Sequence, residues 1–317
     1  MRTLITGGAG FIGSNLVDAL LACGDEAAVI DDLSTGRIEN LEGALARGAE
    51  LVEANVADAA AVGDAIARIQ PDAVFHLAAQ MDVRRSIADP GFDAMVNVVG
   101  TANLLEAVRR EAPAATVVFA STGGAIYGEG EGRSLPFRED AAIEPEAPYG
   151  QSKLAGEGYV GFYRRVHGLA ATSLRLGNVF GPRQDPLGEA GVVAIFCGRL
   201  RDGGRPTVFG DGLQTRDFVF VGDVAAAMLV AVERLVAAPD RVAAVYNVGT
   251  GRETNVLELA TTLAEIAGRS DFDPKMEEAR AGEIQRCVID PGQAKADLGW
   301  HATTGVGEGL RITLNAA

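Results

Sequence analysis

The chain has little of several reactive kinds of residue: among 317 positions there are only three cysteines and three histidines. Cys23, Cys197 and Cys287 are odd in number and show no C-x-x-C spacing, while His76, His167 and His301 stand far apart. Neither a disulfide framework nor a metal site is indicated, and a reducing, cytoplasmic location is expected. Positive charge is scarce as well, with 28 lysines and arginines against 43 aspartates and glutamates and a formal net charge of −15. Such a chain lacks a broad basic face to release counterions from a nucleic-acid backbone, so nucleic acid is not an expected partner. An anionic small ligand would be opposed by the overall field and would need individual arginines to create local positive potential. Long apolar runs are also missing, and no membrane association is expected. The start, MRTLITGGAGFIGSNLVDALLACG, is apolar but broken by glycine from Gly7 onward, and it reads as folded structure. No low-complexity tract or solenoid-length repeat marks a linker or an array.

What the chain does contain is 48% hydrophobic residues, enough for one large domain or two unequal ones sharing a core. Apolar runs of β type, namely TLIT, AAVI, AELVEA, DAVFHL, ATVVFA and ATSLRL, fall near residues 3, 27, 49, 72, 115 and 171. Helical patterns lie between them over about 11–23, 58–69, 91–111 and 148–167. This alternation predicts an α/β fold, a Rossmann-type doubly wound parallel sheet. Beyond Arg175 the rhythm loosens into Gly- and Pro-rich loops, with helices expected near 190–201, 222–237, 255–268 and 304–314. The expected division is a first domain over 1–176, with return segments near 215–247, and a smaller, partly interleaved substrate domain formed mainly by 177–317.

The segment TGGAGFIG, residues 6–13, sets Gly7, Gly10 and Gly13 in G-x-x-G-x-x-G spacing directly after the first strand. Glycines let backbone amides approach a pyrophosphate, which then rests at the positive end of the helix beginning near Phe11. Asp31 closes the second strand, where a carboxylate accepts bonds from both adenosine ribose hydroxyls and repels a 2′-phosphate. The three features together predict NAD rather than NADP.

In PYGQSK, Tyr149 and Lys153 are four residues apart at a helix start and share one face. A free tyrosine, with pKa about 10, is a poor base at neutral pH. A neighbouring ammonium and a cationic nicotinamide both favour the phenolate. The lysine can also hold the nicotinamide ribose.

The glycine pattern, HLAAQ at 76–80, YGQSK and NVFGPRQ at 178–184 together resemble the extended short-chain dehydrogenase/reductase family, and within it the nucleotide-sugar enzymes, nearest to the UDP-glucose (UDP-galactose) 4-epimerases. The resemblance spans nearly the whole chain. It implies oxidation of the sugar at C4, with the tyrosinate removing the hydroxyl proton and hydride passing to NAD. Related 4,6-dehydratases carry an Asp-Glu pair after the threonine of the strand-end motif, and sugar-acid decarboxylases tend to place a glutamate there. In this chain, ASTGGAIYG at 120–128 offers Gly123 and Gly124 instead. With no added acid or base, the ketone can only turn over and take back its hydride, which argues for simple 4-epimerisation of UDP-glucose and UDP-galactose. Family members have a serine where Gly123 stands, so the hydroxyl contacting the sugar is assigned to Thr122, with Ser121 in reserve.

By the same resemblance Phe11, Ile12, Asp32, Asn55, Val56, Leu77, Ala78 and Ala79 line the cofactor, Asn55 replacing the acidic residue usual beside the adenine. Met81 stands where some epimerases have a cation, and His76 reads as a core histidine. Asn178 corresponds to a phosphate contact, Arg216 and Arg280 to a pyrophosphate clamp whose forked guanidinium groups suit phosphate oxygens. Arg183 reads more weakly, as part of a loop-shaping motif. Glu283 corresponds to the acid on the uridine ribose. Cys287 takes the place of a gate beside the C2 substituent, where a small residue leaves room for UDP-GlcNAc and UDP-GalNAc. The helices over 91–111 and 148–167 are those the family uses for a four-helix homodimer interface. Alternative readings are another C4-oxidising nucleotide-sugar enzyme, of dehydratase or decarboxylase type, and a non-catalytic NAD-binding sensor.

Overall fold

The computed structural model describes residues 1–186, 191–269, 272–280 and 282–316. Its centre is a seven-stranded sheet built from β1 (Arg2–Thr6), β2 (Glu26–Asp31), β3 (Glu50–Glu53), β4 (Ala73–His76), β5 (Thr116–Thr122), β6 (Ala171–Leu176) and the strand Val245–Val248. The order across the sheet is Val245–Val248, β6, β5, β4, β1, β2, β3, and every pairing is parallel. The six expected strands are all present, and Val245–Val248 adds a seventh at one edge.

Helices cover both faces, which is why the strands are nearly unbroken apolar runs. Alternate residues of β5 show the two layers: Val118 and Ala120 pack with the helices α1 (Phe11–Ala22) and Val221–Ala237. Val117 and Phe119 face the other way, against Ala59–Ile69, Gly100–Glu111 and Pro148–His167. The helix Pro148–His167 matches its expected bounds because its ends are strongly signalled. Proline stands at its first turn, and Gly168 closes it with φ 69°.

The expected continuous helix over 91–111 takes three geometries: an α-helix over Pro90–Ala94, a π-helical turn over Met95–Val99 and an α-helix over Gly100–Glu111. The widened turn accommodates Asn97, which is buried and hydrogen-bonded on three sides. A one-face periodicity does not reveal this change of pitch.

Beyond β6 a separate apolar cluster joins the helices Val192–Arg201, Val256–Ile266 and Val306–Ala316 with Phe180, Val208 and Phe218 from short strands. The helix expected near 190–201 is observed over Val192–Arg201, and residue 190 lies outside the described residues. No helix among the described residues is long and apolar enough to cross a membrane.

Candidate active site

In a doubly wound sheet the ligand crevice opens beyond the carboxyl ends of the strands, where the strand order reverses. Here the reversal lies between β1 and β4. A cavity of about 270 Å³ opens there, with Gly7, Gly10, Phe11, Ile12 and Gly13 from the glycine loop in its wall. Asp31, Asp32, Asn55, Val56, Leu77, Ala78 and Ala79 continue the wall, followed by Ser121, Thr122, Tyr149 and Lys153.

The glycine loop is tightly determined. Gly7 has φ 72°, and a Cβ there would lie 2.6 Å from the Ala78 nitrogen. At Gly13 a Cβ would lie 2.2 Å from the Gly7 carbonyl oxygen. No side chain caps the N-terminus of α1. Its free amides and dipole therefore meet whatever anion enters the loop.

Asp31 is buried at the end of β2. Its Oδ2 accepts from the Ala9 amide and its Oδ1 from the Leu33 amide, each at 2.9 Å. Burial pushes its pKa up, and the two amides counter that rise. Both oxygens keep acceptor capacity for further hydroxyls. The Asn55 side chain donates to Asp32 Oδ2 at 2.7 Å and accepts from the Ala57 amide at 2.8 Å. It shapes the pocket wall through these partners, and the nearby negative charge is that of Asp32. An open cradle for a pyrophosphate with a buried carboxylate beyond it fits an adenine dinucleotide.

At the other end of the cavity Tyr149 and Lys153 project from the first turns of Pro148–His167. Burial pushes the Tyr149 phenol up to about 12, a hydrogen bond with the Thr122 hydroxyl works against the rise, and Asp93 adds to it. Burial pulls the Lys153 ammonium down to about 8, opposed by Glu157 and Asp93. The ammonium lies 4.4 Å from the centre of the Phe119 ring, a favourable placement for a cation.

The two strand-end hydroxyls differ. Ser121 donates to Glu157 Oε1 at 2.6 Å. Glu157 in turn is held by Arg175 through Nε at 2.9 Å and Nη2 at 2.8 Å, all three residues being buried. Thr122 is thus the hydroxyl engaged with the phenol. Sequence reasoning missed Glu157, although it stands one helical turn beyond Lys153 on the same face. It also missed Gln80, Arg85 and Gln184 in the cavity wall, whose positions depend on loops rather than on a periodic pattern.

After Thr122 the chain turns into a short helix, Gly123–Ile126. A Cβ on Gly123 would meet Ile289 Cδ1 at 2.8 Å, and one on Gly124 would meet Asn178 Oδ1 at 3.1 Å. Packing therefore accounts for Gly123, and Gly124 leaves the Asn178 amide uncovered. Among the described residues the only carboxylates lining the cavity are Asp31 and Asp32, three strands from β5 in the sheet order. At roughly 4.8 Å per strand this is about 14 Å from the hydroxyl end.

His76 is buried between Thr6 at 2.7 Å and Thr101 at 3.0 Å. Burial, and Lys153 secondarily, bring its pKa down to about 3. It is a neutral core residue, as expected.

Arg216, Glu283 and Cys287 come together beyond the cavity wall. Arg216 is in register with Cys287 across paired strands, and its Nη2 is 4.0 Å from Glu283 Oε1. Burial lowers the Arg216 pKa, while Cys287, Glu283 and Glu129 oppose that shift. Cys287 packs its Sγ 3.5 Å from the Gly123 carbonyl oxygen, joining this cluster to the strand-end motif. Arg280 is exposed, its guanidinium 3.9 Å from the centre of the Phe209 ring. The segments bearing the two arginines run side by side, tied by Gly210 N to Glu277 O at 3.0 Å and Thr215 N to Gln285 O at 2.8 Å. Arg183, at φ 70°, instead binds Asp18 and the Asn40 carbonyl, anchoring its loop to α1.

The family model described as GDP-mannose 4,6 dehydratase matches residues 4–313. The chain is 45% identical over 315 residues to a UDP-glucose 4-epimerase of Mycolicibacterium smegmatis, covering 99% of this chain and 97% of that one. A crystal structure of UDP-glucose 4-epimerase with UDP-glucose from Thermotoga maritima superposes with TM-score 0.91 at 41% identity, covering 100% of this chain and 98% of that one. The UDP-glucose 4-epimerase of Thermus thermophilus in complex with NAD gives TM-score 0.89 at 42% identity, with coverage of 100% and 98%.

Proposed function

The chain belongs to the extended short-chain dehydrogenase/reductase family, among the nucleotide-sugar enzymes that include the UDP-glucose 4-epimerases, and from that membership we propose that it is an NAD-dependent 4-epimerase interconverting UDP-glucose and UDP-galactose. When bound, NAD supplies a hydride acceptor that later returns the same hydride, so a secondary alcohol can be oxidised and rebuilt with inverted configuration. Gly7, Gly10 and Gly13 hold its pyrophosphate, Asp31 its adenosine ribose, and Lys153 its nicotinamide ribose. Tyr149 as phenolate takes the proton of the C4 hydroxyl and gives it back to the alkoxide of the product, so no proton is consumed over a turnover. Thr122 orients that hydroxyl and stabilises the phenolate. Lys153 keeps positive charge beside it.

The single observation that carries this choice of reaction is the lack of an acid or base at 123 and 124, with the cavity's carboxylates three strands away. Elimination of water or loss of a carboxylate needs more than a phenol and two hydroxyls. Asn178, Arg216 and Arg280 bind the substrate's diphosphate, Glu283 the uridine ribose, and Cys287 the space beside C2. The small side chain at 287 admits UDP-GlcNAc and UDP-GalNAc. The first 176 residues, with the return near 215–247, form the NAD-binding domain, and 177–317 mainly the sugar-nucleotide domain. The protein works in the cytoplasm in galactose metabolism, as a homodimer joined through Pro148–His167 and the helical segment before it.

The test is proton NMR of UDP-galactose with purified protein and no added NAD. Conversion to a mixture dominated by UDP-glucose, lost in Tyr149→Phe, is expected. No conversion even with NAD supplied would sink the assignment.

A further inference from the structure

Asp93 is buried, with 1% of its surface exposed, beside the helix that carries Tyr149 and Lys153. Its Oδ1 accepts from Gln80 Nε2 at 3.0 Å and from Asn97 Nδ2 at 3.2 Å. Its Oδ2 is buried with no hydrogen-bond partner among the described residues. Both donors to Oδ1 are neutral amides, so no cation among those residues is bonded to this carboxylate. Asn97 also donates to Ser152 Oγ at 2.9 Å, which ties Asp93 to the residue preceding Lys153.

Several charges face this region. Glu157, on the same helix as Lys153, is shared with Arg175 through two bonds, so its charge serves two cations. His76 from β4 is neutral, bonded to two threonines. Arg85, stacked 4.2 Å from the centre of the Phe92 ring, is exposed to solvent. Lys153 is itself buried and, among the described residues, makes no hydrogen bond to the chain, its ammonium resting on the Phe119 ring. An anion with a spare oxygen and a cation with spare donors thus share one buried region.

Resting on the reading of Tyr149 and Lys153 given above, we propose that Asp93 is a positioning residue: through a buried water on Oδ2 it supplies the countercharge that keeps Lys153 an ammonium in the closed site. A buried ion leaves water at a cost that only a counterion or hydrogen bonds offset, and a polar site of this kind suits a water with several partners. The directions of the shifts agree: Glu157 and, after it, Asp93 raise Lys153, and Asp93 also raises Tyr149.

A double-mutant cycle on stability tests the pairing without reference to turnover. Asp93→Asn is expected to shift the denaturation midpoint more unfavourably in the parent than in Lys153→Met, where the carboxylate has no cation to serve. Equal shifts in the two backgrounds overturn the proposal. If Asp93→Asn fails to fold in the parent, recovery in Lys153→Met supports the pairing and failure in both overturns it. In the holoenzyme, Asp93→Asn should move both limbs of the pH–rate profile to lower pH by about one unit. One limb follows the phenol and the other the ammonium, and Asp93→Glu should bring both back. A lower kcat with both limbs unmoved would mean a merely structural role. Turnover surviving Tyr149→Phe would instead sink the reading of the reaction, leaving the stability cycle to be judged by itself.

Discussion

Two hydroxyls end strand β5, and their surroundings give them different work. Ser121 is bonded to the Glu157–Arg175 pair, so Ser121→Ala should cost about 1 kcal/mol of stability, measured by denaturant unfolding, with kcat changed only a few-fold. Thr122 faces the phenol, and Thr122→Val should lower kcat by roughly a hundredfold, within the range of a lost acid–base aid. The sign of its pH effect follows from the same contact. Thr122 holds the Tyr149 pKa below what burial alone would give, so its loss raises that pKa and moves the limb of the kcat profile that follows the phenol to higher pH. An unmoved limb would remove Thr122 from the proton transfer. Cys287→Tyr should depress kcat/KM for UDP-GlcNAc more than tenfold relative to UDP-glucose, while equal losses would end the argument from size. The residues with sequence motifs were legible: Gly7, Asp31, Tyr149 and Lys153 all line the cavity. Glu157, Asp93 and Asn97 were not, because a buried polar residue on an amphipathic helix looks like an exposed one until its neighbours are known.

Among the elements, the glycine loop and the helix Pro148–His167 were readable for a physical reason. Their ends are fixed by residues with few alternatives, such as proline at the first turn and Gly168 at the last. The π-helical turn over Met95–Val99 was not, since it is set by the partners of Asn97 across three segments. Gly156 shows a similar limit. It packs against the sheet, where a Cβ would be 2.7 Å from Phe119 Cζ, and the helical pattern alone does not show that contact. The loop's own test is Gly7→Ala, which adds a contact at 2.6 Å to the Ala78 nitrogen at φ 72°. A loss of about 1–3 kcal/mol is expected from the backbone alone. The denaturation midpoint should fall, and the purified variant should carry less NAD than the parent. Unchanged NAD content would contradict the assignment of this loop to the pyrophosphate.

On the scale of the whole molecule, a chain of net charge −15 still leaves a set of large apolar side chains in solvent. Tyr159, Phe162 and Val166 are exposed along Pro148–His167, at 41, 41 and 59% of their surface, and Met95 and Val99 on the segment before it at 50 and 39%. Spacings of three and four residues put each set on one helix face, as a helix-to-helix interface requires. Light scattering should give twice the chain mass, and Phe162→Glu should give a monomer; a parent of single-chain mass would reject the dimer. The alternation of strands and helices made most of the sheet legible, while the short strands beyond β6 that lie outside it, two or three residues each, fall below what periodicity can resolve. The central claim is that hydride leaves C4 and returns to C4. Its most direct test is UDP-galactose deuterated at C4, mixed with unlabelled substrate and followed to equilibrium by NMR and mass spectrometry. The account predicts UDP-glucose of unchanged mass with all of its deuterium at C4 and none exchanged to solvent. A product lighter by one water, or deuterium moved to C6, would contradict it and assign the site to dehydration.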